Sequence, residues 1–404
     1  MLSKFDNQNN TALTGAEAAA EAMRQIKPGV VPVYPITPQT PIIEEFANYV
    51  AKGEIKTEMI TAESEHSVMS AAIGSAAAGS RTMTATSSQG LALMYEMLYI
   101  ASGMRFPIVM NVANRAVSSP INIHCDHSDS MGVRDCGWIQ IYSETAQEVY
   151  DHNLLAVRLA EHPDIMLPAM VMQDGFFTSH LLEKMEILSD GVVENFVGDY
   201  QYPYSLFSGS GRDAKSCVSA FGALMLPDYF FETKLAEHRA FEKARKVYKE
   251  IALELEKITK RSHSEIELYN ISEKTEGIII TMSSAAGTVK EVVDRLNEKG
   301  KPVGMIKIRL FRPFPYAELG AVIKNITNIA VLDRTFSFGS VPPLYAEVIQ
   351  SLRVGAIHES PLQKIQSCVF GLGGRDLREK DVEEVYENIL AENYTEESNF
   401  LNLR

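Results

Sequence analysis

Cysteine is scarce in this chain, and its scarcity excludes several kinds of site. The 404 residues include four cysteines, and no two of them form a CxxC pair; they are Cys125, Cys136, Cys217 and Cys368. Iron–sulfur clusters and structural zinc sites need closely spaced thiolates, so the sequence argues against a cluster or zinc site built by this chain alone. Scattered thiols are typical of a reduced, cytoplasmic protein.

Long apolar runs and an excess of basic residues are also missing. No apolar run reaches the ~18 residues of a membrane span, and the first residues, MLSKFDNQNNTALTG, lack the apolar core of a signal peptide. The chain has 38 Lys and Arg against 52 Asp and Glu, a net charge of −14 at pH 7. Nucleic-acid phosphates attract basic surfaces. We therefore expect a cytoplasmic protein without nucleic-acid or membrane partners.

Strand-like and helix-like segments alternate through the first half of the chain. Apolar, β-branched runs lie at about 30–36, 57–62, 81–86, 106–113, 138–143 and 166–173. Helical patterns such as GAEAAAEAMRQI lie between most of them, which predicts a parallel sheet covered on both faces. The chain is too long for one ordinary core, so two domains are expected. The second is predicted as a smaller parallel α/β domain of about four strands that begins at GIIITM.

Two segments of different composition lie between these blocks. The stretch at about 199–227 is rich in Gly, Ser and aromatic residues, which favours an interface arm; its aromatic residues include Tyr202, Tyr204, Phe207 and Phe221. A long charged helix is predicted from about 229 to 260, and its apolar spacing favours packing on a neighbouring domain. The apolar positions are Phe241, Ala244, Tyr248, Ile251, Leu255 and Ile258. We expect residues 1–260 to form the first domain, with this loop and helix, and residues 261–404 the second.

Candidate functional residues gather where the predicted strands of the first domain end, which is where parallel sheets bind ligands. Glu65 in TAESEH begins a helix, and a carboxylate in a first helical turn is already explained by the helix dipole. Arg115 follows the run FPIVMNVAN, where a guanidinium suits a carboxylate or phosphate ligand, or an ion pair with Asp126 or Asp129. Thr37 lies between two prolines, which suits a tight turn or a preorganised hydroxyl.

Three further features have weaker functional signals. The helix after Glu65 has a face of small residues, which consists of Ala71, Gly74, Ser75 and Ala78. Such faces more often pack against a sheet than against a ligand. The HCDHSD stretch contains two histidines and two aspartates, but its spacing matches no standard zinc pattern, so no metal site is predicted. The GLGGRD turn could cradle a phosphate, although one Gly-rich turn is weak evidence.

Several of these stretches together resemble the alpha subunit of pyruvate:ferredoxin oxidoreductase, within the 2-oxoacid:ferredoxin oxidoreductases. The matching blocks, in the order of that family, are YPITPQTPIIE, TSSQGLALM, DHSDSM, DGFFTSH, LPDYFFE, IKIRLFRPFP and GLGGRD. The similarity extends from about residue 14 to about residue 390. It implies an α/β fold, in which a parallel-sheet domain that binds the pyrimidine of thiamine diphosphate precedes a smaller parallel α/β domain like the C-terminal domain of transketolase.

The resemblance also implies roles for individual residues. Glu65 would hydrogen-bond the pyrimidine ring of the cofactor, and such a contact favours the ring tautomer that acts as a base beside the thiazolium C2 proton. Glu65, Thr37 and Arg115 would be the catalytic residues. The other residues implied around the cofactor are Pro35, Ile36, Ser87, Ser88, Gln89 and Gly90. Those implied around the substrate are Thr37, Arg115, Ile121 and Ile123.

Partner subunits are implied as well, because the diphosphate motif of thiamine enzymes, GDG followed by paired Asn residues, is not found after QDG or SDG. A beta subunit would supply the diphosphate clamp and Mg²⁺, and [4Fe-4S] clusters would lie on partner subunits. Gamma and ferredoxin-like delta subunits would complete the path to ferredoxin.

The implied reaction converts pyruvate and coenzyme A to acetyl-CoA and CO₂ with reduction of ferredoxin. Relatives use 2-oxoisovalerate or 2-oxoglutarate, so these substrates remain alternatives. A scaffolding subunit without chemistry of its own is the alternative class. The presence of Thr37, Glu65 and Arg115 favours catalysis, because a scaffold needs none of them.

Overall fold

The computed structural model describes residues 8–202, 221–355 and 363–404. The strands before residue 200 are β1 (Gln8–Leu13), β2 (Val30–Val33), β3 (Glu58–Thr61), β4 (Met83–Thr86), β5 (Val109–Asn114), β6 (Ile139–Ser143), β7 (Ala169–Asp174) and β8 (Glu183–Leu188). The helices of the same part, and the long helix that follows it, are α1 (Gly15–Ile26), α2 (Thr40–Ala51), α3 (Glu65–Ala77), α4 (Ser88–Leu93), α5 (Tyr95–Gly103), α6 (Ser128–Gly132), α7 (Ala146–Ala160), α8 (Asp190–Val197) and α9 (Pro227–Thr259).

The remaining elements belong to the second half of the chain. Its strands are β9 (Ile266–Tyr269), β10 (Gly277–Met282), β11 (Val303–Ile308), β12 (Leu310–Arg312), β13 (Asn328–Asp333), β14 (Lys364–Val369) and β15 (Asn399–Phe400). Its helices are α10 (Ala285–Glu298), α11 (Tyr316–Ile323), α12 (Pro343–Gly355) and α13 (Glu379–Leu390). No helix among the described residues is long and apolar enough to cross a membrane.

The first sheet has the strand order β12-β6-β7-β5-β4, and a bridge between Val30 and Thr82 connects it to the parallel pair β2-β3. Strands β4 to β7 run parallel and are buried at every residue, as expected for a sheet covered on both faces. All six strands predicted for this half are present. Strands β1 and β8, which pair with each other in a separate antiparallel ribbon, were not predicted.

The second sheet has the order β15-β14-β13-β10-β11-β9 in the part of the chain that the structure describes. Its strands are parallel except β9, which runs antiparallel to β11. The prediction of about four strands is therefore too low. The two extra strands lie at the edges, where a strand is short and half-exposed and so lacks a continuous apolar run.

One strand of the second half belongs to the first sheet. Strand β12 follows β11 directly and pairs antiparallel with β6, where Leu310 lies opposite Ile141. Leu310 and Phe311 are buried. Main-chain hydrogen bonds thus join the two halves of the chain. The predicted domain boundary at residue 260 stays a prediction. Strand β12 comes after that residue but pairs with a strand of the first sheet.

A buried ion-pair network also joins the two halves. Lys307 on β11 is 1% exposed, and its Nζ lies 2.8 Å from Glu148 Oε1 and 2.7 Å from Glu267 Oε2. It also contacts Glu144, and Arg309 Nε lies 2.8 Å from Glu148 Oε1. Burial alone would raise the pKa of Glu148, but Arg309 and Lys307 hold it well below its usual range. The positive charges come from the second half, and two of the carboxylates, Glu144 and Glu148, come from the first.

Helix α9 packs against the first half of the chain, as predicted. Its apolar positions contribute to the core of the first sheet, with Ala244, Tyr248, Ile251 and Leu255 buried and Phe241 and Ile258 half-buried. Its basic residues Arg245 and Lys249 form ion pairs with Glu265 and Glu318 of the second half.

The aromatic stretch at about 199–227 is described only at its two ends. The rings of Tyr202 and Phe221 lie 6.0 and 4.9 Å from the ring of Phe106, so both ends pack on the first domain. Tyr204 and Phe207 lie outside the described residues. The interface arm therefore stays a prediction.

The small-residue face of α3 is only partly covered, with Ser75 Oγ 2.8 Å from Thr82 Oγ1 at the edge of the first sheet. Ala71 and Ser75 are partly exposed, and Gly74 is exposed with no atom within 4 Å of its Cβ position. The helix buries its larger apolar residues instead, among them Val68 and Met69. The apolar core determines which face turns inward, because burying Val and Met removes more apolar surface from water than burying Ala or Gly.

Candidate active site

Glu65 is the first residue of α3, and the side chain of Ser64 caps this helix by accepting a hydrogen bond from the Ser67 N–H at 3.3 Å. Glu65 is 7% exposed, and none of the described residues donates a hydrogen bond to its carboxylate. Helix capping accounts for its position in the chain. It does not account for a buried carboxylate without donors, since buried charged groups are normally hydrogen-bonded.

Glu63 lies in a different environment. It is exposed, and its Oε1 accepts a hydrogen bond from Ser67 Oγ at 2.5 Å, which lowers its pKa. Alternation along the strand end could not separate the two carboxylates of TAESEH. In the structure Glu63 is exposed and accepts a local hydrogen bond, whereas Glu65 points into the protein.

The TSSQG turn lies directly against Glu65. A Cβ at position 90 would stand 2.6 Å from Glu65 Oε1 and 2.6 Å from Thr86 Oγ1, so only glycine fits there. Thr86 Oγ1 is buried and has no hydrogen-bond partner among the described residues. Two polar groups without hydrogen-bond partners among the described residues therefore lie beside Gly90. A flat ring carrying nitrogen donors and acceptors fits this chemistry, and Thr86 joins the site although the sequence prediction began at Ser87.

The hydroxyls of the two serines in this turn are bonded within the protein. Ser87 Oγ donates to Ala113 O at 2.7 Å, and Ser88 Oγ lies 2.6 Å from Ala116 O and 2.5 Å from Gln89 Oε1. Ser88 has a φ of 49°, in the left-handed region that non-glycine residues rarely adopt. These contacts fix the shape of the turn.

Asp129 links this turn to the segment that carries Arg115. Its Oδ2 accepts from the backbone N–H groups of Ser88 and Arg115, each at 3.0 Å. Its Oδ1 accepts from Asn114 Nδ2 and the Ser130 N–H, each at 2.7 Å. Burial raises the pKa of Asp129 to about 6, and these hydrogen bonds offset part of that rise. One buried carboxylate thus fixes both segments of the candidate site.

The Arg115 guanidinium is held by backbone carbonyls. Its Nε donates to Asn122 O at 2.8 Å and its Nη1 to Thr37 O at 2.9 Å. Arg115 is 7% exposed, and burial lowers its pKa, which the nearby Asp129 charge partly offsets. No carboxylate of the described residues forms an ion pair with it, so the alternative of pairing with Asp126 or Asp129 is wrong. A buried cation that makes no direct ion pair with a described carboxylate suits an anionic ligand.

The other predicted residues occupy less enclosed positions. Pro35 and Thr37 are exposed and Ile36 is half-buried, in a turn whose Ile36 N–H donates to Gln39 Oε1 at 3.3 Å. Ile121 and Ile123 are 78% and 43% exposed. The structure therefore brings the turn at 35–37 to Arg115 but leaves the two isoleucines on the surface, where their substrate role stays a prediction.

A second buried polar cluster lies beside the HCDHSD segment. Asp174, at the end of β7, accepts from His127 Nε2 at 2.7 Å, Arg334 Nη1 at 2.6 Å and Ser284 Oγ at 2.5 Å. Burial alone would raise the pKa of Asp174, but Arg334 and His127 hold it well below its usual range. The ligand atoms of Cys125, His127 and Asp174 lie within 4.8 Å of one another. Arg334 already balances the Asp174 charge, so the cluster is a structural ion pair between the two halves.

Comparison with known proteins agrees with this geometry. Residues 21–252 match the family described as pyruvate flavodoxin/ferredoxin oxidoreductase, thiamine diphosphate-binding, and residues 275–382 match pyruvate:ferredoxin oxidoreductase core domain II. The chain belongs to the pyruvate:ferredoxin oxidoreductase family. The family predicted from the motifs is thereby confirmed, and with it the prediction that the chain is a subunit of an oxidoreductase.

Relatives of this pyruvate:ferredoxin oxidoreductase chain match it over nearly its full length. It is 49% identical to pyruvate synthase subunit PorA of Thermotoga maritima, over 97% of this chain and 98% of that one. It is 42% identical to pyruvate synthase subunit PorA of Methanocaldococcus jannaschii, over 93% and 94%. It is also 40% identical to ketoisovalerate oxidoreductase subunit VorA of Pyrococcus abyssi, over 93% and 92%.

Solved structures show the same fold. The 2-oxoglutarate:ferredoxin oxidoreductase from Magnetococcus marinus matches with a TM-score of 0.68 at 20% identity, over 96% of this chain and 67% of that one. A split-gene transketolase, in its inactive beta4 tetramer, matches with a TM-score of 0.52 at 10% identity, over 94% and 99%. These likenesses confirm the predicted fold class, a parallel-sheet α/β domain followed by a smaller one of the transketolase type.

Proposed function

We propose that this chain is the alpha subunit of a multisubunit, thiamine-diphosphate-dependent enzyme that oxidatively decarboxylates pyruvate. The products are acetyl-CoA and CO₂, with coenzyme A as acyl acceptor and ferredoxin as electron acceptor. The observation that carries the proposal is the buried Arg115 guanidinium, which has no carboxylate partner in the described ranges and is linked through Asp129 to the turn that faces Glu65.

The residues around Glu65 suit the pyrimidine ring of thiamine diphosphate. When bound, this cofactor supplies the carbon nucleophile and the electron sink for decarboxylation. In the proposal the Glu65 carboxyl hydrogen-bonds the ring and shares a proton with it, and the missing side chain of Gly90 leaves room for Glu65 beside the turn. Thr86 Oγ1 gains the partner that it lacks within the chain. Pro35, Ile36 and the residues from Ser87 to Gln89 complete the cofactor surface.

Arg115 and Thr37 suit a small 2-oxoacid. The guanidinium binds the substrate carboxylate, and the exposed Thr37 hydroxyl hydrogen-bonds the ketone oxygen. Ile121 and Ile123 flank the substrate in this proposal. The names of the PorA relatives support pyruvate, and the VorA relative makes 2-oxoisovalerate the alternative substrate.

We propose that partner subunits complete the active site. A beta subunit would supply the diphosphate clamp, Mg²⁺ and a [4Fe-4S] cluster, and gamma and ferredoxin-like delta subunits would carry electrons to ferredoxin. The sequence supports this division, because it has no GDG segment with paired Asn residues and no closely spaced cysteines. The free, separately buried thiols of Cys125, Cys136 and Cys368 support a cytoplasmic location.

The decisive experiment is an assay of the co-purified complex with pyruvate, 2-oxoisovalerate and 2-oxoglutarate. We expect coenzyme A-dependent reduction of ferredoxin with the highest kcat/KM for pyruvate. A higher value for 2-oxoisovalerate would establish the alternative substrate. A complex that turns over none of the three acids would favour a scaffolding subunit.

Replacing Arg115 tests the substrate site directly. Arg115→Ala should cost about 1.5–3 kcal/mol of substrate binding, roughly a 10- to 100-fold rise in KM, because it removes a charge-assisted hydrogen bond. The affinity for thiamine diphosphate should stay unchanged. Arg295→Ala is the control, since it removes a guanidinium that forms partly exposed ion pairs with Glu379 and Glu383, far from the candidate site in sequence. Normal turnover by both Arg115→Ala and Thr37→Val would show that the substrate site is misplaced.

A further inference from the structure

The GLGGRD turn contacts the segment of the first domain that supports Arg115. The turn follows β14, and Gly371, Gly373 and Gly374 have φ values of 65°, 61° and 82°. The Gly374 N–H donates to Cys125 O at 2.7 Å, and the Gly373 N–H donates to Asp126 Oδ2 at 3.3 Å. Protein acceptors therefore occupy the N–H groups that could have cradled a phosphate.

Two glycines of this turn permit the close approach of residues 122–124. A Cβ at position 373 would stand 2.4 Å from Asn122 Nδ2, and a Cβ at position 374 would stand 2.3 Å from His124 Cβ. Both distances are too short for real side chains. Asn122 Nδ2 donates to Gly373 O at 2.9 Å, and Asn122 Oδ1 accepts from the His124 N–H at 2.7 Å. Both ends of the Asn122 amide are thus held, one of them by the second half of the chain.

Asn122 in turn fixes one side of the Arg115 guanidinium. The backbone carbonyl of Asn122 accepts a hydrogen bond from Arg115 Nε at 2.8 Å, while the backbone carbonyl of Thr37 accepts one from Arg115 Nη1 at 2.9 Å. A guanidinium is planar and rigid, so two fixed nitrogens determine where the third, Nη2, points. The direction of Nη2 therefore depends on the position of Asn122.

We propose that Gly373 and Gly374 act through Asn122 as positioning residues for the Arg115 guanidinium. The inference rests on the proposed function of Arg115 in binding the 2-oxoacid carboxylate. It gives the second half of the chain a part in substrate recognition, although none of these three residues touches the substrate in the proposal.

The test uses the enzyme assembled with its partner subunits, and measures KM and kcat for pyruvate and the dissociation constant for thiamine diphosphate. A methyl group at position 373 meets only the end of a flexible side chain, so we expect Gly373→Ala to fold. It should raise KM by about 10-fold or more and change kcat and cofactor affinity by less than about twofold.

Gly300→Ala is the matched control. Gly300 lies in the same half of the chain, has a φ of 79°, and has no atom within 4 Å of its Cβ position. The substitution therefore introduces the same left-handed strain without touching Asn122, and it should leave KM unchanged. An equal rise in KM in both variants would overturn the inference, because backbone strain alone would then account for it.

A double variant adds a rescue test. Asn122→Ala should also raise KM, since it removes the amide that connects the turn to the segment. In Asn122→Ala/Gly373→Ala the new methyl group no longer meets an amide, so KM should match that of Asn122→Ala alone. An additive rise would contradict the inference. Should Gly373→Ala not fold, Asn122→Ala alone decides.

Comparison with Arg115→Ala separates this inference from the proposed function. If Arg115→Ala raises KM while Gly373→Ala and Asn122→Ala do not, the positioning role is wrong and the proposed substrate site stands. If Arg115→Ala leaves KM unchanged, the proposed site fails and the positioning role fails with it.

Discussion

Replacing Glu65 by Gln isolates the proton from every other property of this side chain. Gln has the same size and still forms hydrogen bonds, so the space beside Gly90 and Thr86 is preserved. It cannot share a titratable proton with a bound ring. The assembled complex should therefore still bind thiamine diphosphate, but the C2 proton of the cofactor should exchange with solvent far more slowly.

The magnitude follows from the environment of Glu65. The side chain is 7% exposed and receives no hydrogen bond from the described residues, so no neighbouring donor replaces the lost proton. Proton transfer by a positioned group contributes about 10²–10⁴-fold in rate. This range equals roughly 3–5 kcal/mol of transition-state stabilisation. The exchange rate is measured by mixing the loaded complex with deuterated water, quenching in acid and recording the proton spectrum of the released cofactor.

Glu63→Gln is the matched control, since Glu63 belongs to the same TAESEH segment but is exposed and accepts a hydrogen bond from Ser67. Its effect on exchange should be small. Loss of exchange in Glu63→Gln with normal exchange in Glu65→Gln would show that the two roles are swapped. Normal exchange in both variants would refute the reasoning, because this chain would then not activate the cofactor.

Three other predictions concern the whole chain and its buried charges. Expressed alone, the chain should be inactive and free of iron, because its sequence has no diphosphate motif and no closely spaced cysteines; visible cluster absorbance or turnover would contradict this. Burial raises the pKa of Asp129 from 3.8 to about 6, so the folded chain binds a proton that the unfolded chain releases between about pH 4 and 6. The contribution of Asp129 to the free energy of unfolding should therefore fall as pH rises through that interval, by on the order of 1–3 kcal/mol. Urea titrations at several pH values should show that the free energy of unfolding of Asp129→Asn lacks this part of the pH dependence. The same pH dependence in both proteins would refute this prediction. Lys307→Met should destabilise the fold by about 3–5 kcal/mol, because it removes the buried cation that three partly buried carboxylates share, and calorimetry should show a clearly lower melting temperature. Lys301→Met, which removes an exposed ion pair with Glu387, should change the melting temperature little. Equal effects of the two substitutions would contradict the role of burial.

Most of the fold could be predicted because its signal is local. Buried parallel strands appear as continuous apolar runs, and the six predicted in the first half all exist. Helix α9 was predicted from the same kind of pattern. Strand β12 has three residues and pairs with β6 from far away in the chain, so no window of sequence reveals its partner. The edge strands β9 and β15 were missed because half-exposed strands lack a continuous run.

The site could be predicted in part, for a related reason. Polar residues at the ends of parallel strands identified Glu65, Arg115 and Thr37, and the resemblance supplied the TSSQG turn. The structure adds contacts between distant segments, such as the four donors around Asp129 and the approach of Gly373 to Asn122. These contacts depend on tertiary packing, which the composition and spacing of a single segment do not encode.

The pairing of β12 with β6 has a consequence for synthesis of the chain on the ribosome. Strand β6 is buried at every residue in the finished fold, yet its outer edge stays open until residues 310–312 have emerged. At typical translation speeds this interval lasts roughly 10–30 seconds. During that time an apolar strand offers unpaired N–H and C=O groups to other nascent chains. The first half of the protein is therefore most exposed to aggregation before its last strand arrives, and chaperone demand should peak at that stage.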